Sequence, residues 1–355
     1  MTRFRPLLWI AGFLLLVGGD WSSGNDRYVK GESGMVPSGR GTEITAVLDT
    51  RLSEAGKNVL WCGTFQLAWN AAEEAVGFPI RLTPPVSLAD SLNKRAFERR
   101  WIDERSIFIA GGPAEQSFID SIRAGVRAKS GQEPKLLKEI DPSRDNLVFY
   151  AMLHKELHFE KPFARLGSWP INGRKISAFG FKPDQSERIP LLKQVRVHQY
   201  TDESHFLIEL RTTESGDQLL LAKLPPQSQL SGAVSSTLKQ LRADAAPANE
   251  VDLLVVPFIT LDEHRQFAEL EGHRVRGQPD LRVEKALQTI DFRMNEKGVK
   301  LHSEAELTFS CAVNKPIEPR LIVVCPPFLL LMKRKEAPMP YFVAWIANTD
   351  LLRGE

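Results

Sequence analysis

Apolar residues follow a helical spacing in the first part of the chain and an extended spacing in the later part. From Asn58 to Val76 they recur every three to four residues, and Gly77 follows, so a helix is predicted there. The same spacing predicts further helices over Leu88–Trp101, Pro113–Ala128, Val234–Arg242 and Leu261–Leu270.

Strands are predicted where apolar residues alternate with polar ones or form short continuous runs between turn residues. These segments are Ser106–Ala110, Leu147–Leu153, Lys193–Tyr200, His205–Arg211, Gln218–Leu224, Val251–Ile259, Leu287–Met294, Val299–Phe309, Arg320–Val324, Phe328–Lys333 and Tyr341–Ala347. Because helices concentrate early and strands late, an α+β domain is the expected fold class.

The first residues of the chain differ in composition from the rest. Arg3 and Arg5 precede an apolar run from Leu7 to Val17, which is typical of a secretory signal. We therefore expect a signal peptide over residues 1–19, a flexible leader over 20–44 and a single domain over 45–355. An uncleaved membrane anchor and a mis-assigned start remain open, and a cleaved signal implies a secreted or periplasmic protein.

Charge and cysteine content narrow the possible partners. Lys+Arg 46 against Asp+Glu 44 gives a net charge of +2, which lacks the basic excess of a nucleic-acid-binding domain. Three cysteines are too few for a disulfide scaffold. In an oxidising compartment Cys311 and Cys325 are able to pair, leaving Cys62 free; three buried thiols are an equal alternative.

No complete catalytic or metal-binding motif is present. The sequence has no GxxxxGK, GxGxxG or GxSxG pattern, so neither a phosphate-binding loop nor a hydrolase elbow is supported. His154 and His158 follow a predicted strand, where four residues span about 13 Å, too far for one metal ion. Asp262, Glu263 and His264 lie at a predicted helix start, where acidic side chains are expected. We expect no cofactor, no metal and no enzymatic activity.

Several ordered segments resemble the serpin family. Asn58-Val-Leu-Trp-Cys-Gly resembles the serpin segment that leads into the buried central helix, and Phe159-Glu-Lys-Pro-Phe163 resembles its Trp-x-x-Pro-Phe motif. Pro257-Phe258 resembles the Pro-x-Phe strand, Asn295-Glu-Lys-Gly298 the Asn-Glu-x-Gly hinge, and the tail from Pro327 to Asn348 the closing strand pair. The resemblance is to a divergent, bacterial-type serpin.

The resemblance implies one α+β domain with a large, mostly antiparallel central sheet, a second sheet, and helices around one end. It implies a hinge at Glu296 and Gly298, and a reactive loop that a protease cuts and that then inserts into the sheet as an extra strand. The segment from Val76 to Leu147 is short for the family, so the helix that covers the central sheet is expected to be reduced or absent.

The loop residues themselves alternate strictly. Apolar or small residues occupy every second position, at Val299, Leu301, Ser303, Ala305, Leu307 and Phe309. Burying the four large ones favours a sheet-bound state by about 6–12 kcal/mol as an upper estimate. The same pattern fits a strand that is inserted from the beginning.

Other residues depart from the inhibitory pattern. Inhibitory serpin hinges resemble runs of small residues, whereas Leu301 and His302 are bulky and Glu304 and Glu306 are charged. Phe65 stands near the place of a buried Ser, and Tyr150 or Ala151 at the place of a buried Asn, in what resembles the family's polar lock. The sheet is therefore expected to be held by apolar packing.

Two functions follow as expectations. The first is a secreted, monomeric inhibitor of a serine or cysteine protease, with Ala312–Val313 as the scissile bond and an elastase-like enzyme as the partner. The second is a non-inhibitory binding or structural protein whose loop is a permanent strand. Neither needs nucleic acid, and membrane contact is expected only through an uncleaved N-terminal segment.

Overall fold

A computed structural model describes residues 41–52, 56–299 and 318–354 of the chain. Five α-helices lie within these ranges: α1 (Thr64–Val76), α2 (Ser87–Leu92), α3 (Gln116–Ser130), α4 (Arg188–Leu192) and α5 (Leu230–Lys239). None of the described helices is both long and apolar enough to cross a membrane.

The described strands number twenty-one and fall into five sheets. The first eleven are β1 (Thr42–Thr45), β2 (Asn58–Cys62), β3 (Leu82–Thr83), β4 (Ile107–Ala114), β5 (Ser143–Leu153), β6 (Leu157–His158), β7 (Ala164–Ile171), β8 (Arg174–Phe181), β9 (Val195–Asp202), β10 (His205–Leu210) and β11 (Asp217–Lys223). The others are β12 (Ala246–Pro247), β13 (Leu253–Pro257), β14 (Ile259–Gln266), β15 (Arg274–Val275), β16 (Gln278–Arg282), β17 (Leu287–Asn295), β18 (Gly298–Val299), β19 (Leu321–Val323), β20 (Phe328–Arg334) and β21 (Phe342–Ile346). The predicted α+β class is confirmed.

The largest sheet has eight strands in the order β1-β2-β21-β20-β11-β10-β9-β12. Its central strands are buried on both faces, which explains why Phe328–Met332 and Phe342–Ile346 are continuous apolar runs. The predicted closing strand pair is confirmed here, since β20 and β21 pair antiparallel from Phe328 opposite Ile346 to Met332 opposite Phe342.

A second sheet has four strands in the order β19-β13-β8-β7. Its β7–β8 hairpin, which the sequence analysis did not predict, turns at Asn172 and Gly173, and both residues have positive φ, as tight two-residue hairpin turns require. The parallel pairing of β13 with β19 brings the chain at residue 321 back beside residue 253.

The sheet that carries the hinge is divided into two halves. One half is the antiparallel pair β4–β5, and the other has four strands in the order β14-β17-β18-β6. Within the described ranges β5 pairs with β4, and β17 pairs with β14 and β18, so no ladder joins β5 to β17.

Helices cover both faces of the β4–β5 half. Helix α1 packs against the face that joins the main core, while α3 packs with Phe108, Tyr150 and Met152 on the opposite face. A covering helix is therefore present, so the expectation that it is absent is wrong. Helix α3 has fifteen residues, with Ile119, Ile122 and Val126 buried.

Three predicted elements differ from the structure. Asn58–Cys62, predicted as the start of a helix, is strand β2, because all five residues are buried between β1 and β21. Leu261–Leu270, predicted as a helix, lies mainly in β14, which pairs with β17 over eight residues; sheet pairing there prevails over local helical spacing. Of Leu88–Trp101, only part of α2 and a short 3₁₀ turn at Arg99–Trp101 are helical.

Candidate functional site: a cleft beside the hinge

A cleft of about 1210 Å³ separates the two halves of the divided sheet. Strand β5 lines one side, strand β17 lines the other, and Phe65, Ala68 and Trp69 of α1 are among its lining residues. Among the described residues, β5 pairs with β4 alone, and β17 pairs with β18 only at Met294 and Asn295. Within that part of the chain, both strands therefore present a backbone edge toward the cleft.

The hinge closes one end of this cleft. After β17 the chain turns at Glu296 and Lys297, and β18 then pairs antiparallel with β17 on one side and with β6 on the other. Val299 is 3% exposed and lies opposite both Met294 and Leu157. Gly298 and Val299 are therefore already a strand between β17 and β6.

Gly298 is required at this position by both its backbone angle and its surroundings. Its φ is +139°, a conformation that residues with a Cβ rarely adopt. A Cβ there would lie 2.4 Å from the Leu157 carbonyl oxygen and 3.0 Å from His158 Cα.

Glu296 is a buried carboxylate that pairs with a largely exposed arginine. Its side chain is 6% exposed and accepts hydrogen bonds from Arg165 of β7, with 2.6 Å to Nη2 and 2.8 Å to Nε. Its carbonyl oxygen accepts a hydrogen bond from the Phe163 amide at 2.7 Å. The Phe163 ring packs edge-on against Phe159 at 4.8 Å. The hinge glutamate thus ties the divided sheet to β7 and to the aromatic pair of the Phe159–Phe163 segment.

A second anchor holds the chain at Arg320, just before strand β19. Arg320 donates to the fully buried Asp252 carboxylate, with 2.6 Å from Nη2 to Oδ2 and 3.0 Å from its backbone N–H to Oδ1. Asp252 also accepts from the Asn249 amide at 2.7 Å. Both ends of the segment between residues 299 and 318 are therefore held by charge-assisted hydrogen bonds, which are stronger than neutral ones.

The cleft contains a polar contact that the sequence analysis missed. Gln288 of β17, 3% exposed, donates from Nε2 to Thr64 Oγ1 at 2.9 Å and to the Cys62 carbonyl at 3.1 Å. Burial raises the pKa of the Cys62 thiol, and hydrogen bonding with Thr64 partly offsets this effect. This contact joins β17 to β2 and to the start of α1 through Gln288 and Thr64, and neither Phe65 nor Ala151 supplies its polar groups.

Sequence signals for this contact were weak. Gln288 lies on the inward face of β17, the same face as Ile290 and Phe292. A polar residue in such a buried series indicates a hydrogen-bond partner, but which partner it has depends on α1 lying beneath β17.

The two candidate histidines take separate partners. His154 lies 3.7 Å from Glu156, and burial lowers the pKa of its imidazole. His158 of β6 lies 3.3 Å from Glu214, which also accepts a hydrogen bond from the His158 amide at 2.9 Å. No group of three or more potential metal ligands occurs in the described part of the chain.

Several predicted site residues lie outside the described residues. They are Leu301, Ser303, Ala305, Leu307, Phe309, Cys311, Ala312 and Val313. The Cys311–Cys325 pairing is therefore not tested; Cys325 is half-buried, and its Sγ accepts a hydrogen bond from Lys223 Nζ at 3.1 Å. The predicted signal and most of the leader, residues 1–40, also lie outside.

Comparison with known proteins finds likeness in structure alone. No protein-family model matches the chain, and no curated protein matches it in sequence. Among solved structures, Serpin48 of the insect Tenebrio molitor is 12% identical, with 82% of this chain and 92% of that chain covered and a TM-score of 0.47.

Two further structures are similar to a like extent. The thermophilic serpin tengpin is 12% identical, with 84% of this chain and 90% of that chain covered and a TM-score of 0.48. Human thyroxine-binding globulin, solved with thyroxine, is 13% identical, with 83% and 93% covered and a TM-score of 0.49.

Proposed function

We propose that this chain is a serpin-fold inhibitor of a serine or cysteine protease and acts as a suicide substrate. One observation carries the proposal: β18 ends at Val299 between β17 and β6, antiparallel to both, at one end of the cleft. After cleavage, the strand that would enter the cleft is the segment from 300 to 309, which follows Val299 directly in the sequence.

Register supports this occupant. Val299 lies opposite Met294, and the even-numbered residues of β17 from 288 to 294 face inward. Continuing the ladder puts Leu301 opposite Phe292, Ser303 opposite Ile290 and Ala305 opposite Gln288, because directly opposed residues in a sheet share a face. The apolar alternation in the sequence therefore meets the buried face with no change of register.

Energetics favour insertion. Val299 is already buried, so Leu301, Leu307 and Phe309 supply the remaining gain, about 4.5–9 kcal/mol in total as an upper estimate. New backbone hydrogen bonds to the two strand edges add to this value. Insertion of the full strand requires slack in the loop, which cleavage supplies.

The chemistry belongs to the protease. Its nucleophile attacks the Ala312 carbonyl carbon, the Ala312–Val313 peptide bond breaks, and the Val313 amine leaves with a proton. The resulting ester or thioester joins the protease to Ala312. Insertion of residues 300–309 then carries the attached protease away from the hinge before water hydrolyses the bond. A small residue at 312 suits an elastase-like protease, and secretion would bring the two together.

The test uses elastase and the purified protein. We expect an SDS-stable complex and, after cleavage of the loop, a rise in melting temperature on the order of 10 °C, at roughly 2 °C per kcal/mol for a chain of this size. Two variants form a matched pair: Ser303→Glu adds a carboxylate to the inward face, and Ser303→Ala keeps the same position small and uncharged. The first should be cleaved without complex or temperature rise, and the second should keep both. Equal behaviour of the pair would overturn the register, and absence of a complex in the native protein would overturn inhibition.

A non-inhibitory binding protein is the second candidate, and a specific observation favours it. The same register puts Glu304 beside Met152 and Glu306 beside Tyr150, on the face of β5 that α3 covers. Tyr150 is 9% exposed, and burial raises its pKa to about 12. Carboxylates are costly to bury without partners, so insertion could stop near residue 302. Cleavage with no rise in melting temperature is the outcome expected for this candidate.

A further inference from the structure

A connecting segment lies along the cleft on the side of α3. This strap, residues 131–142, joins α3 to β5, and its Pro134, Lys135 and Leu136 line the cleft. Leu137 is 5% exposed and packs in one cluster with Ile119, Ile122 and Tyr150. The strap is thus anchored to the half of the divided sheet that contains β5.

Lys135 reaches from the strap to the other half. Its Nζ lies 2.7 Å from Asp262 Oδ1 of β14 and 3.4 Å from Asp291 Oδ2 of β17. Asp262 and Asp291 lie directly opposite each other in the β14–β17 ladder. A single cation therefore joins the strap to two neighbouring strands across the cleft.

The two aspartates need a cation between them. Like charges directly opposite on neighbouring strands destabilise a sheet, and Lys135 offsets this repulsion. Arg293 lies 3.5 Å from Asp291 Oδ1 and supports one of the two carboxylates. The three side chains of the Lys135 group are each more than a third exposed, so salt screens their interaction.

We propose that Lys135, Asp262 and Asp291 form an ionic latch that holds the strap over the cleft and slows entry of a strand. The proposal rests on the proposed function, since it regulates the same cleft. Release of Lys135 removes the ion pairs from the strap to β14 and β17, while the anchor of the strap on the α3 half remains.

Hydrogen exchange of the intact, uncleaved protein tests the latch without any protease. In Asp262→Asn/Asp291→Asn, amides of the strap and of β17 should exchange about twofold to fivefold faster than in the native chain, the range expected for exposed ion pairs. Raising the salt concentration should accelerate exchange in the native chain and have little effect in the variant. A Glu104→Gln variant is the matched control, because it removes an ion pair of the same 2.7 Å length and similar exposure, Arg99–Glu104.

A charge swap separates the latch from general destabilisation. Lys135→Asp should speed exchange, and adding Asp262→Lys to it should restore slow exchange by reversing the pair. Equal exchange rates in the native chain, in Asp262→Asn/Asp291→Asn and in the Glu104→Gln control would overturn the latch. Faster exchange with no protease complex in any protein would support the latch and refute inhibition, so the two failures are distinguishable.

Discussion

Replacing Gly298 with alanine tests whether the hinge strand depends on this one backbone position. The new Cβ would lie 2.4 Å from the Leu157 carbonyl oxygen at a φ of +139°. Keeping that conformation costs on the order of 1–3 kcal/mol in backbone strain. Releasing β18 instead loses the burial of Val299, about 1.5–3 kcal/mol. Because the less costly route prevails, we expect a loss of about 1–3 kcal/mol and a melting temperature lower by roughly 2–6 °C.

Thermal unfolding followed by circular dichroism measures this loss, and hydrogen exchange locates it. Gly173→Ala is the control, because Gly173 also has a positive φ, +76°, but nothing lies within 4 Å of its Cβ position. Both variants should lose stability, and only Gly298→Ala should expose the amides of β6 and β18 to faster exchange. Native-like protection of β6 in Gly298→Ala, with a stability loss no larger than in Gly173→Ala, would refute the role given to the Leu157 contact.

Three other perturbations have expected outcomes. Gln288→Leu removes the buried donor to Thr64 and should lower the free energy of unfolding by about 1–3 kcal/mol in urea titration; an unchanged midpoint would contradict it. Asp252→Asn leaves the Arg320 charge without its partner and should cost about 3–5 kcal/mol by the same assay, whereas Asp244→Asn, in an exposed pair, should cost little. For Cys62, the raised pKa means that the native state holds the thiol proton more tightly than the unfolded state. Its contribution to stability is therefore complete below about pH 9 and declines as the pH rises above that value. Iodoacetamide at pH 8, read by mass spectrometry, should modify Cys325 before Cys62, and the reverse order would contradict the burial argument.

The spacing of apolar residues predicted those strands that pair with the next strand along the chain. The strands at 205–211, 218–224 and 328–333 were predicted close to their observed bounds because they form consecutive or fully buried runs. Strand β14 was predicted as a helix because its identity depends on β17, which lies more than twenty residues further along the chain. Spacing within ten residues does not contain that information.

The sequence singled out Glu296 and Gly298 but did not predict the cleft. Both residues stand in a short motif; in the structure Glu296 is buried and Gly298 has a positive φ, while their role as a hinge stays a prediction. Each feature of the cleft involves residues more than one hundred positions apart in the sequence. This holds for the two strands β5 and β17, for the Gln288–Thr64 contact and for the Lys135 group. Such contacts arise from the packing of whole elements, so a single sequence offers only candidate residues for them.

The position of β20 and β21 in the eight-stranded sheet constrains how the protein is assembled. These two strands lie between β2, near the start of the described chain, and β11, near its middle. Until residue 346 has left the ribosome, β21 cannot fill its position between β2 and β20, and unpaired strand edges promote association between molecules. The largest sheet is therefore completed only once β20 and β21 have been synthesised, and nascent chains should depend on protection from aggregation until then.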